Sequence, residues 1–118
     1  MAVDTDIIAA LKGFVDNRVF FDSAPFDTPK PYIVLTLIGG TPVTYLEAAL
    51  PDKRNRIFQV NAWHTNRKNA VILGNQIEKA LVESQTLLAA PQTNMAYRFD
   101  DVTNTKGTEQ RFSLWLTN

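Results

Sequence analysis

Residues 17–40 read Asn-Arg-Val-Phe-Phe-Asp-Ser-Ala-Pro-Phe-Asp-Thr-Pro-Lys-Pro-Tyr-Ile-Val-Leu-Thr-Leu-Ile-Gly-Gly. No other stretch narrows the possible folds as much. Pro25, Pro29 and Pro31 remove backbone donors and hold the chain extended, so no helix can run through residues 23–31. A short apolar run, Val19 to Phe21, precedes this turn and reads as a strand. Tyr32 to Ile38 follows it, β-branched and aromatic without a charge, and is the clearest strand in the sequence. Both of its faces are apolar, which predicts a central strand covered on both sides. Gly39-Gly40 ends it.

Around this stretch the pattern alternates between helix and strand. In residues 5–15, Ile7, Ile8, Leu11, Phe14 and Val15 fall at helical spacing, with Asp4 or Thr5 as cap and Asp16-Asn17 as the stop. Residues 56–63 alternate, with Phe58, Val60 and Ala62 toward a core and Gln59, Asn61 and Trp63 away from it. Thr65 or Asn66 then caps a long helix to about residue 85. Its stripe is Ala70, Gly74, Ile77, Leu81 and Leu88, widened by Val71, Leu73 and Ala80. Gly74 weakens that helix by about 1 kcal/mol relative to alanine, which points to close approach of the helix to a sheet. Ala90-Pro91 closes the unit. Residues 95–102 and 111–116 form a last hairpin around residues 103–109, with Gly107 in the turn. On the final strand Phe112, Leu114 and Leu116 face inward, and Arg111, Ser113 and Trp115 outward.

The expected architecture is α+β, a mostly antiparallel sheet with a short N-terminal helix and one long helix packed across it, in the order α-β-β-β-α-β-β. Residues 1–118 form a single domain of radius roughly 13 Å. With 45% hydrophobic and 20% charged residues, the chain can bury a true core. Twelve basic residues balance twelve acidic ones, which speaks against tight nucleic-acid binding, where cations releasing phosphate counterions supply the affinity. The absence of cysteine excludes disulfides, thiolate metal sites and cysteine nucleophiles. The acidic N-terminus predicts no signal peptide, and no apolar run is long enough to span a membrane. A soluble protein made in a cytoplasm is expected.

Chemistry-bearing residues are sparse. His64 is the sole histidine, with no acid at motif spacing, and reads as a strand-end residue. Asp100 and Asp101 are adjacent on a strand and so point to opposite faces, which prevents them from sharing a proton. Gly39-Gly40-Thr41 develops no phosphate-binding pattern. No cofactor, metal site or enzymatic activity is predicted. Lys53, Arg54 and Arg56, with Arg67 and Lys68, form the one basic cluster, open to a solvated face, a subunit contact or a nucleic-acid surface. Residues 39–55 are too long for a hairpin loop and too apolar for a plain one. Tyr45, Leu46 and Leu50 lie in them before Asp52-Lys53-Arg54. The segment is either an arm that contacts another subunit or a hairpin extension folded on its own sheet. Trp63 and Trp115 share the outward phase of their strands. They are buried either in an interface or beneath the N-terminal helix or the 23–31 turn.

In this order, the elements resemble the tail-completion (tail terminator) family of long-tailed phages, with lambda-like organisation. The resemblance rests on the N-terminal helix, Arg18-Val19-Phe20-Phe21-Asp22 with Ala24-Pro25, Pro31-Tyr32-Ile33-Val34, and Phe58-Gln59-Val60-Asn61-Ala62-Trp63. The long helix and the closing Arg111-Phe112-Ser113-Leu114-Trp115 complete it. It implies a structural virion protein of phage or prophage origin, assembled in the host cytoplasm and located at the tail–head junction. It implies a ring, typically a hexamer, that ends tail-tube polymerisation and offers the head-joining surface. Its partners would be itself, the tail tube protein and a head-completion or connector protein, with DNA passing through unbound. A ring needs two different complementary patches on each subunit. The candidates are Tyr45, Leu46, Leu50, Lys53, Arg54 and Arg56 on the arm, with Trp63 and Trp115 on the outward face. A neck or minor tail protein is the neighbouring reading. A nucleic-acid module using the 53–68 basic cluster is a reading from a different class.

Overall fold

A computed structural model describes residues 2–25, 27–40, 53–84, 87, 89–100 and 105–117. The expected α+β architecture is present. Helix α1 (Ala2–Leu11) leads through a 3-10 turn (Lys12–Phe14) to strands β1 (Val19–Phe21), β2 (Tyr32–Gly39) and β3 (Lys53–His64). Helix α2 (Arg67–Val82) and strands β4 (Ala90–Pro91), β5 (Ala96–Asp100) and β6 (Thr105–Thr117) follow. One six-stranded sheet has the order β1-β2-β3-β6-β4, with β5 also on β6. All pairs are antiparallel except β1 with β2, which are parallel. Ten residues, 22–31, make that parallel connection, shorter than the helical crossover such pairs usually need.

Pairing lengthens elements beyond what local sequence suggests. β3 begins at Lys53, not Arg56, because β6 pairs with it along its whole length, from Lys53↔Thr117 to His64↔Lys106. Cross-strand partners outweigh the low strand propensity of Lys53, Arg54 and Asn55. Twelve residues of strand reach roughly 40 Å. The molecule is therefore elongated, 52 × 25 × 24 Å with a radius of gyration of 14.9 Å, larger than a compact domain of this length.

One face of the sheet carries the core. Ile33 and Leu35 from β2, Phe58, Val60 and Ala62 from β3, and Phe112 and Leu114 from β6 are buried against Ile7, Leu11, Val15, Leu73, Ile77 and Leu81. Ile7, Leu11 and Val15 pack as their spacing predicts, but α1 ends at Leu11 and Phe14, in the 3-10 turn, is 37% exposed; α1 also starts at Ala2, which places Asp4 and Thr5 within the helix and not at its cap. Asp16 and Asn17 stop the N-terminal segment with left-handed backbone, tolerated by these two residue types. Asn66 caps α2, its Oδ1 accepting from Asn69 N–H at 2.8 Å. The helix ends at Val82, three residues early, and Leu87 is the buried residue after it. Leu88 lies outside the described residues. Gly74 does allow close approach. A Cβ there would meet Met95 Cε and Thr108 Oγ1, each at 2.9 Å, and Gln110 Nε2 donates to Gly74 O at 3.0 Å.

Three further expectations are corrected. β2 is covered over Ile33–Leu35, but Leu37 and Ile38 are 50% and 43% exposed, because the strand outruns the described cover on both faces. Gly107 is not in a turn. It lies inside β6 opposite Trp63, whose Cε3 would stand 2.5 Å from a Cβ at that position. The ring therefore lies over the glycine, and β6 runs through residues that read as polar loop. β4 is an additional strand, two residues pairing with Ser113 and Phe112, where Pro91 is tolerated at a sheet edge.

Candidate functional site

The opposite face of the sheet carries no helix among the described residues. The register brings Gln59, Asn61 and Trp63 of β3 beside Tyr32, Val34 and Thr36 of β2 and Gly107, Glu109 and Arg111 of β6. These side chains bond to one another. Arg98 Nε and Nη2 donate to Glu109 Oε1 and Oε2 at 3.3 and 3.2 Å. Asn61 also hydrogen-bonds Glu109. Gln59 Nε2 donates to Asn61 Oδ1 at 3.0 Å, and Arg111 Nη2 donates to Gln59 Oε1 at 3.4 Å. At the far end Asn55 Nδ2 donates to Ser113 Oγ at 2.6 Å. The result is a polar network across β5, β6 and β3.

Electrostatics fix its protonation. The Arg98 hydrogen bond, aided by the nearby charges of Arg98 and Arg111 and by Asn61, holds the Glu109 carboxyl below its usual value despite partial burial. Glu109 is therefore a standing carboxylate near neutral pH, an ion-pair partner rather than a general acid. His64 is pushed toward the neutral imidazole by burial, and its Nδ1 accepts from Thr65 N–H at 2.8 Å. Among the described residues no three His, Asp or Glu side chains converge as metal ligands. Asp101 lies outside the described residues, so the paired-carboxylate reading has no geometry to stand on.

The residues expected to make contacts are distributed over this frame. Trp63 and Trp115 do share the open face, both half-buried, Trp63 opposite Gly107 and Trp115 opposite Asn55. Eight residues of β3 separate their partner positions, roughly 27 Å, so they are two sites and not one patch. Trp63 borders a cleft of about 950 Å³ under the 22–30 loop, with Asp22, Tyr32, Thr36, Gln59 and Asn61 also on its walls. Arg56 sits opposite Leu114, in phase with the core-facing Phe58. Lys53 and Arg54 occupy the start of β3, opposite Thr117 and Leu116. Tyr45, Leu46 and Leu50 lie outside the described residues.

The basic cluster is not one cluster. Arg67 and Lys68 open α2, while Lys53 starts β3, and eleven residues of strand hold the two ends roughly 36 Å apart. Arg67 instead lies over the Tyr97 ring at 5.0 Å, and Lys106 over the Phe99 ring at 5.0 Å. Sequence reasoning missed the Arg98–Glu109 pair. With residues 103–109 assigned to a turn, nothing local showed that these two residues, eleven apart, would lie side by side.

No curated protein matches the chain. A solved structure whose own name describes no function aligns with 97% of this chain and 96% of its own, at a TM-score of 0.53 and 13% identity, which shows a shared fold. No helix among the described residues is long and apolar enough to cross a membrane. The sequence matches the family described as Tail completion protein gp17 over residues 4–117. With almost the whole length covered, the chain belongs to this family of structural proteins of the phage tail.

Proposed function

We propose that this protein caps the head-proximal end of the phage tail tube as a ring, ends tube polymerisation and presents the surface that joins the head. The family match over residues 4–117 carries this reading. A ring is a closed set of heterologous contacts and needs two unlike patches per subunit. The elongated sheet offers two. One would be the distal end of the sheet, with exposed Leu37 and Ile38 on β2, Lys53, Arg54 and Arg56 at the start of β3 and Trp115 opposite Asn55, together with Tyr45, Leu46 and Leu50 of the segment that joins β2 to β3 in sequence. The other is the opposite end of the open face around Trp63. The ring is hexameric, its partners are the tail tube protein and a head-completion protein, and DNA passes through it without specific binding. The separation of the two basic groups removes the continuous cationic surface that a nucleic-acid module would use. Glu109 is committed to Arg98, and among the described residues no carboxylate is hydrogen-bonded to His64 to orient it.

Loss of the gene should give overlong or headless tails, and the added protein should appear as rings on tube ends by electron microscopy. A strictly monomeric protein whose deletion leaves tail length and head joining intact would overturn the proposal.

A further inference from the structure

We propose that the cleft beside Trp63 receives the Arg56 side chain of a neighbouring copy, which rests on the proposed ring and names a contact that closes it. The cleft, about 950 Å³, lies on the open face of the sheet, between the 22–30 loop and the outward side chains of β2 and β3. Val34 and Asn61 are buried on its floor, and Asn61 is committed to Gln59 and Glu109. Trp63 lies with its ring over Gly107, so one face of the indole rests on backbone and the other is turned away from the sheet. Asp22 and Asp27, on the loop side, form no ion pair among the described residues. Lys30 is the one cation on these walls, which leaves two carboxylates against one ammonium. An indole face and an uncommitted carboxylate both favour a cation. A guanidinium fits better than an ammonium, because it stacks on the ring while donating in its own plane. The other groove, between Phe14 and α2, sets Glu83 beside Lys79 and has no such imbalance.

The arginines of the chain identify the occupant. Arg18 donates to Pro31 O and faces Asp16, Arg67 lies over Tyr97, Arg98 is held by Glu109, and Arg111 donates to Gln59. The Arg54 side chain is not among those described. Arg56 has no hydrogen bond, ion pair or ring contact among the described residues. It shares the phase of Phe58, as does Leu37, which stands opposite Phe58 and is 50% exposed. The cleft opens on the other face of the sheet, so a subunit cannot fill its own cleft and the arginine comes from a second copy. Leu37 then supplies an apolar contact beside the charge, toward Val34 and the prolines of the loop. The two patches are unlike and lie on opposite faces. Repeating their contact stacks subunits front to back, the heterologous arrangement that closes into a ring.

Capping of bare tail tubes by the full chain, counted by electron microscopy against protein concentration, tests it. Arg56→Gln and the double variant Asp22→Asn/Asp27→Asn should each raise the half-maximal concentration by about tenfold or more. Asparagine tolerates the left-handed backbone of Asp22 and Asp27, so charge is removed without strain. All three substitutions together should cost no more than either set alone, because each removes the same contact. Amide NMR spectra confirm that each variant is folded. The chemistry of the cleft is read separately in the free protein. N-acetylarginine amide should shift the Trp63 indole N–H signal, and its citrulline counterpart, similar in shape without the charge, should not. Asp22→Asn/Asp27→Asn should abolish that shift. Costs that add in the combined variant, or equal responses to arginine and citrulline, would overturn the inference. Tubes capped normally by Arg56→Gln would also overturn it while leaving the proposed function standing, whereas a native chain that forms no rings would overturn both.

Discussion

The two faces of the sheet share the same strands and are built from opposite chemistry. On the helix-covered face, Phe58, Val60, Phe112 and Leu114 are held by burial, and the buried Gln110 is committed to the backbone of Gly74. On the open face, Gln59, Asn61, Glu109 and Arg111 are held by hydrogen bonds to one another at an accessible surface. Burying a large apolar side chain stabilises by about 1.5–3 kcal/mol, whereas an exposed ion pair contributes about 0–1 kcal/mol. The covered face should therefore determine whether the protein folds, and the open face what it can touch.

The strongest way to break that contrast is Phe112→Ala, which should cost about 3–5 kcal/mol in urea unfolding. A loss under about 1 kcal/mol would show that the covered face is not the stabilising one. Gly107→Ala should cost about 1–3 kcal/mol, because the new Cβ meets Ala62 O at 2.7 Å as well as the Trp63 ring. Displacement of that ring should also change the protein's tryptophan fluorescence, which ties the effect to the open face. Thr108→Val sharpens the comparison from inside. Thr108 Oγ1 is buried without a hydrogen-bond partner among the described residues, so removing it should be neutral or stabilise by about 1 kcal/mol. A clear loss in the thermal midpoint would mean that the hydroxyl has a partner after all.

Glu109→Gln should have the smallest effect, about 0.2–1 kcal/mol at neutral pH. Its pH dependence has a definite sign. The folded carboxyl lies below its ordinary value of 4.5, so its contribution is present above that pH and is lost as pH falls through the lowered value. The gap between native and Glu109→Gln stability should close in acid. A gap that widened as pH fell would contradict the Arg98 ion pair.

Most elements were legible because their cause is local. The prolines at 25, 29 and 31, the spacing of Ile7, Leu11 and Val15, and the alternation of Phe58, Val60 and Ala62 each act through the chain's own geometry. Gly74 was readable for the same reason, since a glycine inside a helical stripe needs a compensating contact. Gly107 was not, because the same residue type serves in a turn or beneath an aromatic ring, and only register decides which. The outward phase of Gln59, Asn61, Trp63 and Trp115 was visible, but not the bonds that join Gln59 and Asn61 to Arg98 and Glu109.

The sequence by itself determined the helix faces, the inward residues of the central strands, and the membership that makes this a phage tail protein. Periodicity and proline chemistry act over a few residues and need no partner. Tertiary structure alone decided the start of β3 at Lys53, the parallel β1–β2 pair and the separation of Arg67 from Lys53. Each depends on which strand lies beside which, and that is settled by pairing and packing between residues far apart in the chain.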